Sequence, residues 1–381
     1  MDRIYLDHAA TSPVHPHVAE KMIQVLTDSF GNASSIHSFG REARRILDES
    51  RQTIADSIHA RFNEIIFTSG GTEADNYAIL GTAEAAGGKG KHIISTAIEH
   101  HAVLHTLQYL ETKGYEVTYL QPDETGRIDV EDVKKALRDD TILVSVMYGN
   151  NEVGTVQPIA EIGALIKQHQ AYFHTDAVQA YGLVKLDVDA LNVDMLSVSA
   201  HKIGGPKGIG FLYARTGTVL KNRNFGGEQE RKRRPGTENI ASIAGFAEAV
   251  RIVQQTLPDK QKQYQAYKKR FIEILQQEKV NVILNGSATA SLPHVLNLSF
   301  PGTDVESMLV NLDLAGIAAS SGSACTAGSI EPSHVLVAMF GKKSERLRNS
   351  IRFSFGIANS MEQVETAARK TAEIVRRFQE K

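Results

Sequence analysis

From about residue 60 to 215, short apolar runs alternate with stretches of helical period. Runs at 64–68, 92–96, 116–120, 141–148, 172–176, 194–199 and 209–214 read as strands. Several are continuously apolar, the pattern of a strand covered on both faces. Helical patterns lie between many of them, as at 74–86 and 130–137. This alternation predicts an α/β fold with a mostly parallel sheet, and in such sheets ligands sit beyond the carboxyl ends of the strands. The pattern changes near Pro258. A long polar helix is expected from 259 to about 279, then strands at 281–284 and 294–299, a helix at 305–314, and strands near 317–319 and 350–355. The segment 359–362 looks like a cap opening a final helix. The expected organisation is a large domain over 14–257 and a smaller α+β domain formed by 1–13 and 258–381. No internal repeat or low-complexity segment interrupts it.

Composition narrows the function classes. Of 381 residues, 42% are apolar and 23% charged, with a formal net charge of −2, so nothing suggests general attraction to nucleic acid or membrane. The densest basic run, Arg231-Lys232-Arg233-Arg234, is short and reads as a solvated loop. Cys325 is the one cysteine, which excludes an intrachain disulfide and a Cys-rich metal cage. The first residues lack the apolar core of a signal peptide. No apolar stretch approaches the roughly 20 residues of a membrane span. A cytoplasmic protein is expected.

Four segments carry candidate chemistry. Thr68-Ser69-Gly70-Gly71-Thr72-Glu73 follows a strand and opens a helix, where free N–H groups and the helix dipole suit a phosphate; a plain Ser/Thr cap is the alternative. His174-Thr175-Asp176-Ala177-Val178-Gln179 puts a carboxylate at a strand end, able to pair with a buried cation or simply to cap a turn. Ser199-Ala200-His201-Lys202 runs into the Gly-rich turn that ends at Gly208. A lysine there can reach a cleft and form a Schiff base with a carbonyl cofactor, and Lys207 competes on spacing alone. Asp176 precedes Lys202 by 26 residues, both at strand ends. Cys325 stands in Ser320-Ser321-Gly322-Ser323-Ala324-Cys325-Thr326-Ala327-Gly328-Ser329, a segment unsuited to core packing, which favours a reactive thiol over a buried one. His100, His101 and His105 lack the Glu position of a zinc-protease motif. An imidazole lying over a cofactor ring suits His100 better.

In order and spacing, these segments resemble the group I cysteine desulfurases of the NifS/IscS kind, fold-type I pyridoxal-phosphate enzymes of the class-V aminotransferase family. Also part of the resemblance are Tyr5-Leu6-Asp7-His8-Ala9-Ala10-Thr11, Gly31-Asn32-Ala33-Ser34-Ser35-Ile36-His37 and Asn150-Asn151-Glu152-Val153-Gly154. Arg234-Pro235-Gly236-Thr237-Glu238-Asn239 and Ile351-Arg352-Phe353 complete it, so it covers nearly the whole chain. Ala33 and Gly71 are its small departures. The resemblance implies that Lys202 is the Schiff-base lysine, that Asp176 pairs with the pyridine nitrogen, that Gln179 bonds the ring hydroxyl and that His100 stacks on the ring. Gly71, Thr72, Ser199 and His201 would hold the phosphate of pyridoxal 5'-phosphate, with Thr237 arriving from the second subunit of a homodimer. Asn151 and Arg352 would grip the carboxylate of L-cysteine, which suits arginine's planar fork. Cys325 would take the sulfur as a persulfide, on a mobile loop at about 320–333, and pass it to an acceptor such as an iron–sulfur scaffold protein or a tRNA-thiolating enzyme. No permanent metal is implied, and Cys325 would meet iron–sulfur chemistry only in passing, through a scaffold. Selenocysteine lyase or aminotransferase activity would use Asp176 and Lys202 without the thiol. A non-catalytic sulfur-delivery scaffold would not need Lys202, Asp176, His100 and Cys325 together.

Overall fold

The computed structural model describes residues 3–321 and 332–379. Strand β1 (Ile4–Tyr5) opens the chain. Seven strands then build the main sheet: β2 (Ile65–Thr68), β3 (His92–Thr96), β4 (Glu116–Leu120), β5 (Thr141–Ser145), β6 (Tyr172–Asp176), β7 (Met195–Ser199) and β8 (Gly210–Ala214). Their order is β2-β8-β7-β6-β5-β3-β4. The pairings from β7 through β6, β5 and β3 to β4 are parallel, while β8 runs antiparallel to both β2 and β7. Every residue of β2, β3, β5, β7 and β8 is buried, and β4, at the sheet edge, is largely not. The continuous apolar runs thus mark the strands covered on two faces.

Alternation across the pleat feeds two cores. Phe67, Phe173, Phe211 and Val198 pack with Leu47 and Ile54 of the helix Ser38–Asp56 and with Phe246. Ile66, Ile93, Leu143 and Leu212 face the other way, onto Ala78 and Ile79 of the helix Gly71–Ala85 and Leu107 of the helix His101–Glu111. Four more strands follow: β9 (Ile283–Asn285), β10 (Val295–Ser299), β11 (Ile317–Ala318) and β12 (Ser350–Ser354). The sheet β12-β10-β9 is antiparallel, and β1 pairs with β11. A separate core of Leu6, Phe271, Leu298, Phe300, Phe353 and Val364 lies against them. The pairing of β1 carries residues 7–11 from this part of the chain towards the ends of the main strands, since Asp7 bridges Ser354 and Ser12 N–H donates to His201 O at 3.1 Å.

The strand expected at 141–148 ends at Ser145 and that expected at 281–284 is Ile283–Asn285, but the largest difference from the sequence reading is in a helix. The expected helix after Pro258 is the second half of a single helix, Ile240–Gln277, with Pro258 inside it. An interior proline costs about 3 kcal/mol locally. Here Phe246, Val250 and Val253 bury into the first core, and Tyr264, Phe271 and Ile274 bury into the second. Burial on both sides of the proline outweighs the local break.

Candidate active site

A cavity of about 340 Å³ opens where the main strands end. Gly71 and Thr72 reach it after β2, His100 and His101 after β3, Asn151 and Glu152 after β5, Asp176 and Gln179 at the end of β6, and Ser199, His201 and Lys202 after β7. Arg352 enters from β12, and Ala9 and Ala10 from the segment behind β1. Of the residues singled out in the sequence, ten line this one space. Thr237 does not: it is exposed in the loop before the helix Ile240–Gln277. Cys325 lies outside the described residues. Lys207 is exposed and away from the cavity that Lys202 lines.

Local chemistry explains each placement. Gly70, at φ +152°, caps the helix Gly71–Ala85 without a side-chain acceptor. That leaves first-turn N–H groups to serve an outside anion. A Cβ at Gly71 would stand 2.7 Å from Val178 Cγ2, so the glycine keeps backbone bare at the cavity wall. His100 caps the helix His101–Glu111, its Nδ1 accepting from Ala102 N–H at 3.1 Å, which fixes the ring in place. Lys202 ends the tight turn Ala200–Lys202 behind β7. Its Nζ donates to Ala9 O, and to Ala10 O at 2.8 Å. Arg352 is 1% exposed; Nη1 donates to Asn151 O at 2.8 Å, Nη2 pairs with Asp7 Oδ1 at 2.9 Å, and Nε is buried without a hydrogen-bond partner. Asp7 therefore steadies the guanidinium that the resemblance assigns to a substrate carboxylate.

The buried Asp176 carboxyl is suited to pair with a cation. Burial pushes its carboxyl up to about 6, against a hydrogen bond from Val178 N–H at 2.9 Å and the nearby Lys202 ammonium, both of which lower it. A protonated ring nitrogen would supply the opposite charge. Burial, then Asp176, raises Asp75 well above the carboxylate range. Its Oδ1 lies 3.6 Å from His174 Nε2. Burial also drives His174 down to about 3, so the two meet as neutral groups rather than as an ion pair. His174 spends its nitrogens on Ser145 Oγ and Ser197 Oγ, both at 2.9 Å. His100 and His201 are each lowered to about 4, first by burial and then by Lys202, and are neutral at pH 7. Phosphate donors at one end, a cation-seeking carboxylate at another and a lysine between them fit a pyridoxal-phosphate group.

Sequence reasoning missed Asp7, Asp75 and the function of Glu99. Asp75 stands four residues after Gly71 on the same helix face, in an otherwise apolar stripe, and that position was its signal. Glu99 is fully buried; Oε1 accepts from Thr96 Oγ1 at 2.7 Å and Met147 N–H at 2.9 Å, while Oε2 has no partner. Burial raises it to about 8, from 4.5 when unperturbed. Between those values the folded chain holds one more proton than the unfolded chain, so stability falls as pH rises, by about 1.4 kcal/mol per unit. Glu99→Gln mimics the neutral acid. In urea titrations of the cofactor-free protein, its stability gain over the parent should grow from pH 5 to pH 8 and then level off. A gain independent of pH would refute a buried, protonated Glu99. His101 stacks on His105 at a centroid distance of 4.9 Å and lies tilted against His334 at 4.7 Å, and no group among the described residues has metal-ligand geometry.

Comparison with known proteins agrees with this geometry. A family profile described as Aminotransferase class-V matches residues 4–366. A Bacillus subtilis (strain 168) protein is 60% identical over 378 residues, covering 99% of this chain and 100% of the relative. The Clostridium botulinum (strain Hall) protein named cysteine desulfurase IscS is 44% identical over 380 residues, 99% of this chain and 96% of its own. Among solved structures, a NifS-like protein superposes with a TM-score of 0.91 at 34% identity, over 98% of this chain and 99% of the other. One titled SspA in complex with cysteine gives 0.80 at 36% identity, over 92% and 98%.

Proposed function

This chain belongs to the class-V aminotransferase family, and on that premise we propose how its residues work as a pyridoxal-phosphate-dependent cysteine desulfurase, taking sulfur from L-cysteine and leaving L-alanine. The observation that carries the reading is the meeting of Lys202, Asp176 and Arg352 in one cavity. When bound, pyridoxal 5'-phosphate supplies an aldehyde that captures an amine and a ring that accepts the electron pair of a breaking bond.

The chain's own residues do the rest. Gly71, Thr72, Ser199 and His201 would grip the phosphate with neutral donors. Asp176 would hold the ring-nitrogen proton, and Gln179 would offer N–H to the ring hydroxyl. His100 would lie against the ring as an uncharged plane. Arg352, steadied by Asp7 and the Asn151 carbonyl, takes the substrate carboxylate together with the Asn151 side chain, which orients the amine towards Lys202. Lys202 would hold the cofactor aldehyde through Nζ and, as a free amine, would move protons at that atom. Cys325 attacks the substrate sulfur and keeps it as a persulfide for a protein acceptor, an iron–sulfur scaffold or a tRNA-thiolating enzyme.

A homodimer completes the site, with Thr237 reaching the phosphate of the other subunit. Phe30, Ile36 and Phe225, at 72%, 91% and 90% exposure, support that reading, since large apolar side chains so exposed suit a covering partner. The large and small domains divide near 257–258, and the chain acts in the cytoplasm. Among the described residues no helix is long and apolar enough to cross a membrane.

Product analysis tests the reaction. With L-cysteine and a thiol reductant, the loaded protein is expected to release alanine and sulfide in equal amounts. A new oxo acid in place of alanine would transfer the site to aminotransferase chemistry. Alanine formed only from selenocysteine would make it a lyase for that substrate.

A further inference from the structure

Gln179 lines the cavity, but the group that orients it stands behind the wall. Its Nε2 donates to Ala9 O at 2.8 Å, and its Oε1 lies 3.3 Å from Nε2 of His294. A peptide carbonyl only accepts, so the Gln179 atom facing Ala9 is the NH2 group. The atom facing His294 is then the amide oxygen. Two acceptors would repel, so the His294 proton sits on Nε2. Nδ1 is left with a bare lone pair, and it is indeed buried without a partner. The Ala9 carbonyl and the His294 N–H thus hold the amide at its two ends.

His294 is 3% exposed and immediately precedes β10, its carbonyl accepting from Phe355 N–H at 2.9 Å. Lys268, His8, Lys202 and Arg352 are the titratable groups that bear on it, and all oppose a charge there; burial opposes it most and holds the imidazole well below its ordinary range. Ala9 O also accepts from Lys202 Nζ, so one carbonyl tethers Gln179 and Lys202 together.

We propose that His294 is a positioning residue that locks the Gln179 amide, so that Gln179 presents only N–H to the cavity and selects an acceptor, the ionised ring hydroxyl of the cofactor. The inference rests on the pyridoxal-phosphate reading above. It adds a neutral histidine, outside the cavity, to the set that tunes the ring.

The test compares His294→Leu with His294→Gln, whose amide nitrogen can stand where Nε2 does. Cofactor is titrated into each apoprotein, and the visible absorbance of the loaded protein is then followed against pH. His294→Leu is expected to bind cofactor about tenfold more weakly, as for one lost net hydrogen bond. Its visible band should titrate at a higher midpoint, because the N–H that stabilises the oxyanion is no longer held. His294→Gln should restore both to within about threefold and a few tenths of a pH unit. Leucine and glutamine variants that behave alike, or a leucine variant like the parent, would overturn the proposal. If the leucine variant does not fold, 15N-histidine spectra of the parent apoprotein decide. The signal missing from His294→Gln should be a neutral ring protonated at Nε2, and protonation at Nδ1 overturns the inference. A parent protein that takes up no cofactor would instead sink the functional reading, and this inference with it.

Discussion

Lys202→Ala is expected to lower alanine formation by at least about 10⁴-fold and to release the cofactor on desalting. General acid–base groups contribute about 10² to 10⁴ in rate, and this lysine has a second role, as the amine that would hold the cofactor aldehyde. The geometry leaves no substitute. Nζ is aimed by two carbonyls, Ala9 and Ala10, on a segment brought in by β1. The imidazoles of His100 and His201 are held near 4 and are too weakly basic to replace an amine at pH 7. Lys207→Ala is the control: its side chain is exposed and lies off the cavity, so turnover and absorbance should stay within about twofold of the parent. A Lys202→Ala protein that still turned over at a tenth of the parent rate would remove Lys202 from the chemistry.

Legibility in the sequence followed locality. The main strands were readable because short extended runs alternate with stretches of helical period, and the structure returns 92–96 and 172–176 with those bounds. The helix Ser38–Asp56 went unread although Ala43, Ile46, Leu47, Ser50 and Ile54 form its buried stripe, because the arginines and glutamates between them dominate the composition. The helix Pro16–Asp28 carries a weaker signal still: only Val18 and Val25 are buried, while Ile23 and Leu26 point outwards. Asp176, Ser199 and Lys202 were legible because they end or directly follow strands, while Asn151, Gln179 and Arg352 entered through the resemblance. Asp7 and His294 were not legible, because each works through a partner distant in sequence. Asp7 meets Arg352 across 345 residues and His294 meets Gln179 across 115, and no spacing rule spans such gaps. The helix through Pro258 shows the same limit in the fold: a local breaker was overruled by two cores that the sequence does not reveal as adjacent.

Cys325→Ala is expected to abolish sulfur release while leaving the cofactor bound and coloured, the opposite pairing to Lys202→Ala. The chain has one cysteine, so no other thiol within it can inherit the step. The described residues on either side of 322–331 bear on where that thiol can go. Ser320 and Arg352 exchange backbone hydrogen bonds of 3.2 and 2.7 Å, and Ser333 donates its hydroxyl to Glu152. His334 adds a bond from Nε2 to Glu99 O at 2.9 Å. Arg352, Glu152 and His334 all line the cavity. Cys325 belongs to the segment that joins these two anchored ends, so the nucleophile is part of the same chain as the cavity. In the proposed reaction the thiolate sulfur would bond to the substrate sulfur as the carbon–sulfur bond breaks. The electron pair would stay with carbon, which would take a proton from Lys202 to become alanine. The transferred sulfur would remain on Cys325 as a persulfide until a thiol reduces it to sulfide. A tethered nucleophile reaches effective concentrations far above millimolar reductant, so its loss should cost at least about 10³-fold. Alkylating the parent at its single thiol should have the same effect, with one equivalent of label. Equimolar alanine and sulfide from Cys325→Ala at more than a few per cent of the parent rate would mean that sulfur leaves without a protein thiol, and the persulfide step would fall.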